Sequence, residues 1–410
     1  MRIKRSLYVN IWERLSAHKQ MVFIAGPRLA GKITFTQILA ENFNNSLYFN
    51  WDILDEKRKL VENPSFYEEV QRRDNSIPLI IFDELHKYSN WKNYLKSVYD
   101  RDSANYKFVV SGSGRLDMYQ KGGDSLAGRY LMFYLWPFTL AELAGNNLSL
   151  EQFLSNPIEV RTCPNETLTI WNNLSQFSGF PDPFLNENGH YYNIWSNTYK
   201  KQLLREDIRD LASLKKLEDV EVLFSLLPSK ISSPLSMASL SKDMHVSFDS
   251  VRSWIEVFEN FFMVFRIPPW SRKISRAITQ EKNCIFSIMP GLNRPLRIPQ
   301  QNLKIWLRSS FFGPYPTGII SGLGISLCIT SETRISRRLI FSFPTNKSHS
   351  FSLKPKLSDD HTAKSLIKFQ NVLKIPAVQL VNEGDICKLV SNGNLKIMIT
   401  SADHWLSLLP

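Results

Sequence analysis

Residues Gly26-Pro27-Arg28-Leu29-Ala30-Gly31-Lys32 lie between an apolar run, Val22-Phe23-Ile24-Ala25, and a stretch from Lys32 to Asn42 with helical apolar spacing. Strand, glycine-bounded turn and helix in that order leave a chain few choices. The strand enters a sheet, and the backbone N–H groups of the turn and of the first helical turn converge on an anion. In a phosphate-binding loop of this kind Lys32 reaches the β- and γ-phosphates, and the next residue offers a hydroxyl to Mg²⁺. That next residue is Ile33, which has no lone pair. Thr34 does carry a hydroxyl, but one step along a helix rotates it by about 100°, so it does not fill the gap. The expected binding stretch is therefore Gly26 to Thr34, with the phosphate cradle intact and the metal slot defective.

A second run, Pro78-Leu79-Ile80-Ile81-Phe82-Asp83-Glu84, is apolar and ends in two acids, the pattern of a strand buried on both faces. At such a strand end Asp83 is expected to hold Mg²⁺ through water and Glu84 to polarise the attacking water. The alternative is a solvated strand end. A third run, Lys107-Phe108-Val109-Val110, leads into Ser111-Gly112-Ser113, where a hydroxyl can sit beside a γ-phosphate. Together these predict an α/β fold: a P-loop nucleotide-binding domain on a parallel sheet, with ATP as its ligand.

The ordered blocks resemble a known family. Ile24 to Thr34, Tyr48 to Asp52 (YFNWD), Ile81 to Trp91 (IFDELHKYSNW), Ser111 to Leu116 (SGSGRL), Ser125 to Tyr130 (SLAGRY) and Leu135 to Glu142 (LWPFTLAE) follow one another as in prokaryotic AAA-superfamily ATPases. That family joins a P-loop domain to a helix-turn-helix middle domain and a nuclease-like C-terminal domain. The resemblance implies that Ser113 is the sensor polar residue and that Arg129 is a phosphate-facing or finger arginine. A helix-end surface charge is the competing reading of Arg129.

At 410 residues the chain is too long for one ordinary core. The expected division is an ATPase domain over 1–150, a helical connector over 151–215, a winged-helix-like domain over 216–283, an irregular segment over 284–355 and an α/β remnant over 356–410. No apolar run approaches the ~20 residues that span a bilayer. The basic N-terminus lacks an apolar signal core, so a cytoplasmic protein without a membrane partner is expected. Cys163, Cys284, Cys328 and Cys387 are scattered and suggest neither a zinc site nor a disulfide framework.

In the middle third, Phe177 to Pro183 matches the family's Gly-Phe-Pro junction, and Tyr199 to Leu211 has helical spacing. Helices are predicted over Val220–Leu227, Met237–Met244 and Phe248–Phe258, with Val246-Ser247 as turn and cap before the third and Phe261–Ile267 as a wing strand. A third helix placed this way is able to enter a DNA groove. It offers only Arg252 as a base, beside Glu256 and Glu259, so an interdomain or scaffolding role is favoured over DNA reading.

Beyond Lys282 the resemblance breaks, in a way that a reading-frame change accounts for. The family's Phe-Glu-Asn-Leu-Val-Ala, coded TTT GAA AAT TTG GTT GCG and read one base late, gives Leu303 to Arg308 (LKIWLR). Its Glu-Val-Asp-Phe-Leu becomes Arg338-Leu339-Ile340-Phe341-Ser342, and Phe-Phe-Asp-Tyr-Ala yields Ile285 to Pro290 (IFSIMP). Two compensating indels are inferred, near Asn283 and near Pro355, after which Lys356 to Asp360 and Phe369 to Val381 match again. If the coding DNA read in its other frames over 284–355 does not restore the family motifs, the inference is dead.

Nine Lys or Arg against the single Glu332 give this segment a net +8 of the chain's +12, so the overall basicity is a poor argument for a nucleic-acid partner. The nuclease acids implied by the resemblance are replaced by Arg338, Ile340 and Lys354, leaving Lys356 and no metal set. With seven prolines and no clean periodicity, 284–355 is expected to be poorly ordered and to leave 357–410 without much of its sheet. Two functional classes follow: an ATP-binding relative of these ATPases, able to oligomerise, with hydrolysis impaired by Ile33, or a DNA-binding regulatory protein that keeps the P-loop as a relic. A decayed gene product without activity is the third outcome.

Overall fold

Short apolar runs form the first sheet, and three of them end at a glycine or an acidic residue. The computed structural model describes residues 3–112, 126–146, 148–162, 166–208, 217–230, 235–267, 283–286, 326–331, 337–343, 349–356 and 361–409. The chain divides into two units, Met1–Pro137 with Phe180–Asp182, and Phe138–Gly179 with Pro183–Pro410.

In the first unit, α1 (Ser6–Ser16) precedes β1 (Met21–Ala25), α2 (Lys32–Glu41), β2 (Ser46–Asn50), α3 (Leu54–Glu62), β3 (Leu79–Asp83), α4 (Trp91–Asp102), β4 (Lys107–Ser111) and β5 (Tyr130–Tyr134). The strands pair in parallel in the order β2-β3-β4-β1-β5. Every residue of β1 and β3 is buried, which is why both read as unbroken apolar runs rather than alternating ones. Aromatic rings fill one face: Phe82 stacks on Phe108 at 6.2 Å, and Phe49 packs against Phe66 at 4.9 Å. Each such burial contributes about 1.5–3 kcal/mol. On the other face Tyr8 of α1, Phe35 of α2 and Phe133 of β5 pack together. The chain leaves β1 for the edge strand β2, returns through β3 and β4, and then crosses to β5 on the far side of β1. That route places the C-terminal ends of β1, β3 and β4 side by side.

The second unit begins with short helices at Leu140–Leu143 and Leu150–Ser155 and continues with α5 (Thr167–Phe177) and α6 (Gly189–Gln202). The predicted triad is present as α7 (Leu217–Leu226), α8 (Met237–Asp243) and α9 (Phe248–Asn260). Ser247 caps α9 by accepting the N–H of Ser250 at 3.0 Å. A strand follows at Val264–Ile267 (β6), pairing antiparallel with Asn283–Phe286 (β7).

The expectation that 357–410 is left without much of its sheet is not met. Strands β8 (Ser326–Ser331), β9 (Arg337–Phe343) and β10 (His349–Lys356) join β11 (Ala377–Val381), β12 (Cys387–Asn392) and β13 (Leu395–Ser401) in the order β12-β13-β11-β10-β9-β8. The reason lies in the local pattern. Leu327 and Ile329, and Leu339, Phe341 and Phe343, alternate at the strand period. Pro355 pairs with Leu380 of β11 and lies past the end of the pairing of β10 with β9. The remainder of 284–355 lies outside the described residues. α10 (Lys364–Leu373) and β11 stand where the closing helix and strand are expected. β11 is buried throughout, and α11 (Ala402–Ser407) follows β13.

Candidate phosphate-binding site

The loop between β1 and α2 is built around two glycines. Gly26 has φ +148°, and a Cβ there would stand 2.2 Å from the carbonyl oxygen of Leu135, so no side chain fits. Gly31 has φ +91° and forms the N-terminal boundary of α2. That helix has no side-chain cap and no acid in its first turn. Its leading N–H groups and positive dipole end are therefore available to an anion. Lys32 is buried and folds back, its Nζ donating to the carbonyls of Gly26 at 3.0 Å and Pro27 at 2.8 Å. Pro27 and Ala30 are buried, Arg28 is half-buried and Leu29 is exposed with φ +61°.

Ile33 follows with its side chain 48 % exposed, where a metal-binding hydroxyl is needed. Thr34 is exposed, and the hydroxyl of Thr36 is committed to the carbonyl of Ile33 at 2.9 Å. The residues present do not make a Mg²⁺ donor set of the usual kind: the carboxylate is there and the hydroxyl is not.

That carboxylate, Asp83 at the end of β3, is 1 % exposed. Ser111 of β4 donates to its Oδ1 at 2.5 Å and Tyr48 of β2 to its Oδ2 at 2.8 Å. Burial pushes the Asp83 carboxyl up; the two hydroxyl bonds and Lys32 pull it down without prevailing, and Glu84 adds to the rise. Burial and the Asp83 charge push the Tyr48 phenol up as well, keeping it a donor. Glu84 has φ +52°, a strained conformation for a residue with a side chain, fixed in part by its N–H donating to Ser111 O at 2.9 Å. Its carboxylate lies 3.1 Å from Lys87 Nζ and 3.5 Å from His86 Nε2, and Lys87 also reaches Asp52 at 2.6 Å. Burial lowers the Lys87 ammonium, but Glu84 and Asp52 more than compensate and leave it raised.

Gly26, Gly31, Lys32, Asp83 and Glu84 thus gather at one edge of the sheet. Ser113 lies outside the described residues; Ser111 supplies the hydroxyl beside Asp83. Arg129 is not brought to this edge. It precedes β5, whose Tyr130 pairs with Met21 at the start of β1, and its guanidinium holds Asp100 at 2.7 and 3.1 Å. The four intervening steps of β1 put Arg129 about 13 Å from the loop end of the strand. The sequence does not single out Tyr48, Lys87 and Asp52 as site residues, although Tyr48 and Asp52 fall in one block that carries the resemblance and Lys87 in another. Arg252 of α9 is paired with Glu256 at 3.2 Å. Among the described residues no three His, Cys, Asp or Glu side chains form a metal-binding group.

A parallel sheet in this order, with a strand–glycine turn–helix loop beside a buried strand-end aspartate, defines a P-loop nucleotide-binding unit. Residues 18–144 match a family model described as an AAA domain. Residues 169–292 match a model described as a domain of unknown function (DUF8612). No curated protein matches the chain. Solved structures similar to it include AMPPCP-bound DnaA from Aquifex aeolicus, at 10 % identity over 62 % of this chain and 86 % of that one, with a TM-score of 0.31. Closed-state Hsp104 with ATPγS and FITC-casein matches at 13 % identity over 62 % and 49 %, TM-score 0.30. Cdc6p from Pyrobaculum aerophilum matches at 12 % over 65 % and 88 %, TM-score 0.26. Scores this low add nothing to what the strand order and the loop already define. Among the described residues no helix is long and apolar enough to cross a membrane.

Proposed function

We propose that the first unit binds ATP by its phosphates in the loop Gly26–Thr34 and turns it over slowly or not at all. The observation that carries this reading is the exposed Ile33 side chain immediately after Lys32, in a loop whose glycines and helix N-terminus otherwise suit a phosphate chain. Lys32 must exchange its two loop carbonyls for phosphate oxygens when ATP enters. Asp83 and Glu84 stand where a metal and an attacking water are handled in a complete site. The second unit then serves as a scaffold or protein-binding module, a role favoured by the pairing of Arg252 with Glu256.

Calorimetric titration of ATP with and without Mg²⁺, alongside phosphate release, tests the reading. ATP is expected to bind with nearly the same affinity in both conditions and to be hydrolysed at or near background. Ile33→Thr is expected to introduce Mg²⁺ dependence and raise the rate. Robust Mg²⁺-dependent hydrolysis by the unmodified chain would refute the impairment, and absence of ATP binding would sink the whole reading.

A further inference from the structure

A loop that aims N–H groups at an anion has to turn its carbonyl oxygens elsewhere and satisfy them there. Lys32 takes the carbonyls of Gly26 and Pro27. The carbonyl of Ala30 is taken by a second cation from outside the motif. Arg5, just ahead of α1, donates from Nη1 to Ala30 O at 3.1 Å and from Nη2 to Trp136 O at 2.7 Å. Its residue is 3 % exposed, and its guanidinium lies 4.6 Å from the centroid of the Tyr8 ring. The Tyr8 hydroxyl accepts the N–H of Trp136 at 3.2 Å, so the first turn of α1 fastens the loop to the exit of β5. The fastening falls where the loop most needs it. Leu29, the residue before Ala30, is in the left-handed region at φ +61°, which a side chain disfavours.

We propose that Arg5 is a positioning residue of the phosphate site. It fixes the Ala30 carbonyl, and with it the strained turn, in the anion-receiving orientation. The proposal rests on ATP binding in this loop and adds that part of the affinity for the phosphate chain is supplied by a residue of the N-terminal segment.

The test titrates ATP and inorganic tripolyphosphate into the full chain and into Arg5→Met, Arg5→Gln, Arg5→Lys and Trp12→Phe. Trp12 is buried on α1 against Phe43 and touches neither Arg5 nor the loop in any contact described above, so its variant loosens the same helix without removing the charge. Arg5→Met and Arg5→Gln are expected to lose affinity for both ligands by a similar factor, on the order of tenfold, while Trp12→Phe stays within about twofold. Arg5→Lys is expected to recover most of the loss. Arg5→Gln retains a donor and serves if Arg5→Met does not fold. Equal losses in Arg5→Met and Trp12→Phe would reduce Arg5 to a support of the helix and overturn the proposal, as would a loss confined to ATP. If the unmodified chain binds neither ligand, the nucleotide reading fails; if it binds both and the Arg5 variants bind them equally well, only the role of Arg5 fails.

Discussion

Asp83 shows how a single side chain carries the tension between folding and function. It is kept nearly free of water, and two hydroxyls do not offset the cost of its charge there. Its native carboxyl therefore holds a proton above the ordinary value of 3.8, so between 3.8 and the raised native value the folded chain binds more protons than the unfolded one. In that window stability falls as pH rises. Asp83→Asn removes the fall. Measured by urea unfolding from pH 4 to 8 without nucleotide, the variant is expected to gain on the unmodified protein as pH rises, then to level off. The gain is about 1.4 kcal/mol for each unit by which the carboxyl is raised. A difference that stays flat across the range would show that burial does not set this group's titration. Lys32, Ile33 and Asp83 are legible in the sequence because their roles follow from neighbours within a few residues. Arg5 and Tyr48 are not. Their contacts reach across 25 and 35 residues, and composition does not say which carbonyl or carboxylate a side chain will meet.

In the strand–turn–helix element, tolerance to substitution is set by backbone rather than side chains. Leu135 N donates to Ala25 O at 2.8 Å, tying β1 to the exit of β5, and this fixes Leu135 O against Gly26. A methyl group at Gly26 meets that oxygen at 2.2 Å, and neither backbone is free to move aside. Gly26→Ala is expected to cost about 3 kcal/mol or more. Gly31→Ala, whose Cβ meets only Pro181 Cγ at 3.4 Å, pays mainly for its left-handed backbone, about 1–2 kcal/mol. Urea midpoints of the two variants check the order, and a Gly26→Ala protein as stable as the unmodified one would contradict it. At this scale β1, β3 and β4 were readable because strands buried on both faces leave long apolar runs. The C-terminal strands are harder to read because β8, β9 and β10 carry no motif, and only alternation such as that of Leu339, Phe341 and Phe343 marks them.

Across the whole molecule, the end of the chain is part of the second unit's core rather than an appendage. Trp405 of α11 is 1 % exposed. It packs edge-on against Phe153 at 5.5 Å and donates its indole N–H to Pro157 O at 3.2 Å, joining segments 248 residues apart in sequence. Around it Thr167 donates to Asp403 at 3.1 Å, His404 meets Arg161 O at 2.7 Å and Asn146 donates to Leu409 O at 2.9 Å. A segment with no partner in the fold would lack such contacts. The second unit therefore closes only when residues 402–409 return to the helices that open it. Trp405→Ala is expected to destabilise that unit by about 3–5 kcal/mol, the cost of emptying a buried indole site. The first unit contains none of these contacts, so ATP affinity measured on the same variant is expected to stay unchanged. Unfolding followed by hydrogen exchange separates the two outcomes: protection lost from β11, β13 and α5 but kept in β1, β3 and β4 agrees with a closure confined to the second unit. Protection lost from both sheets together would mean that the chain unfolds as one cooperative body and that the two units are not energetically separate.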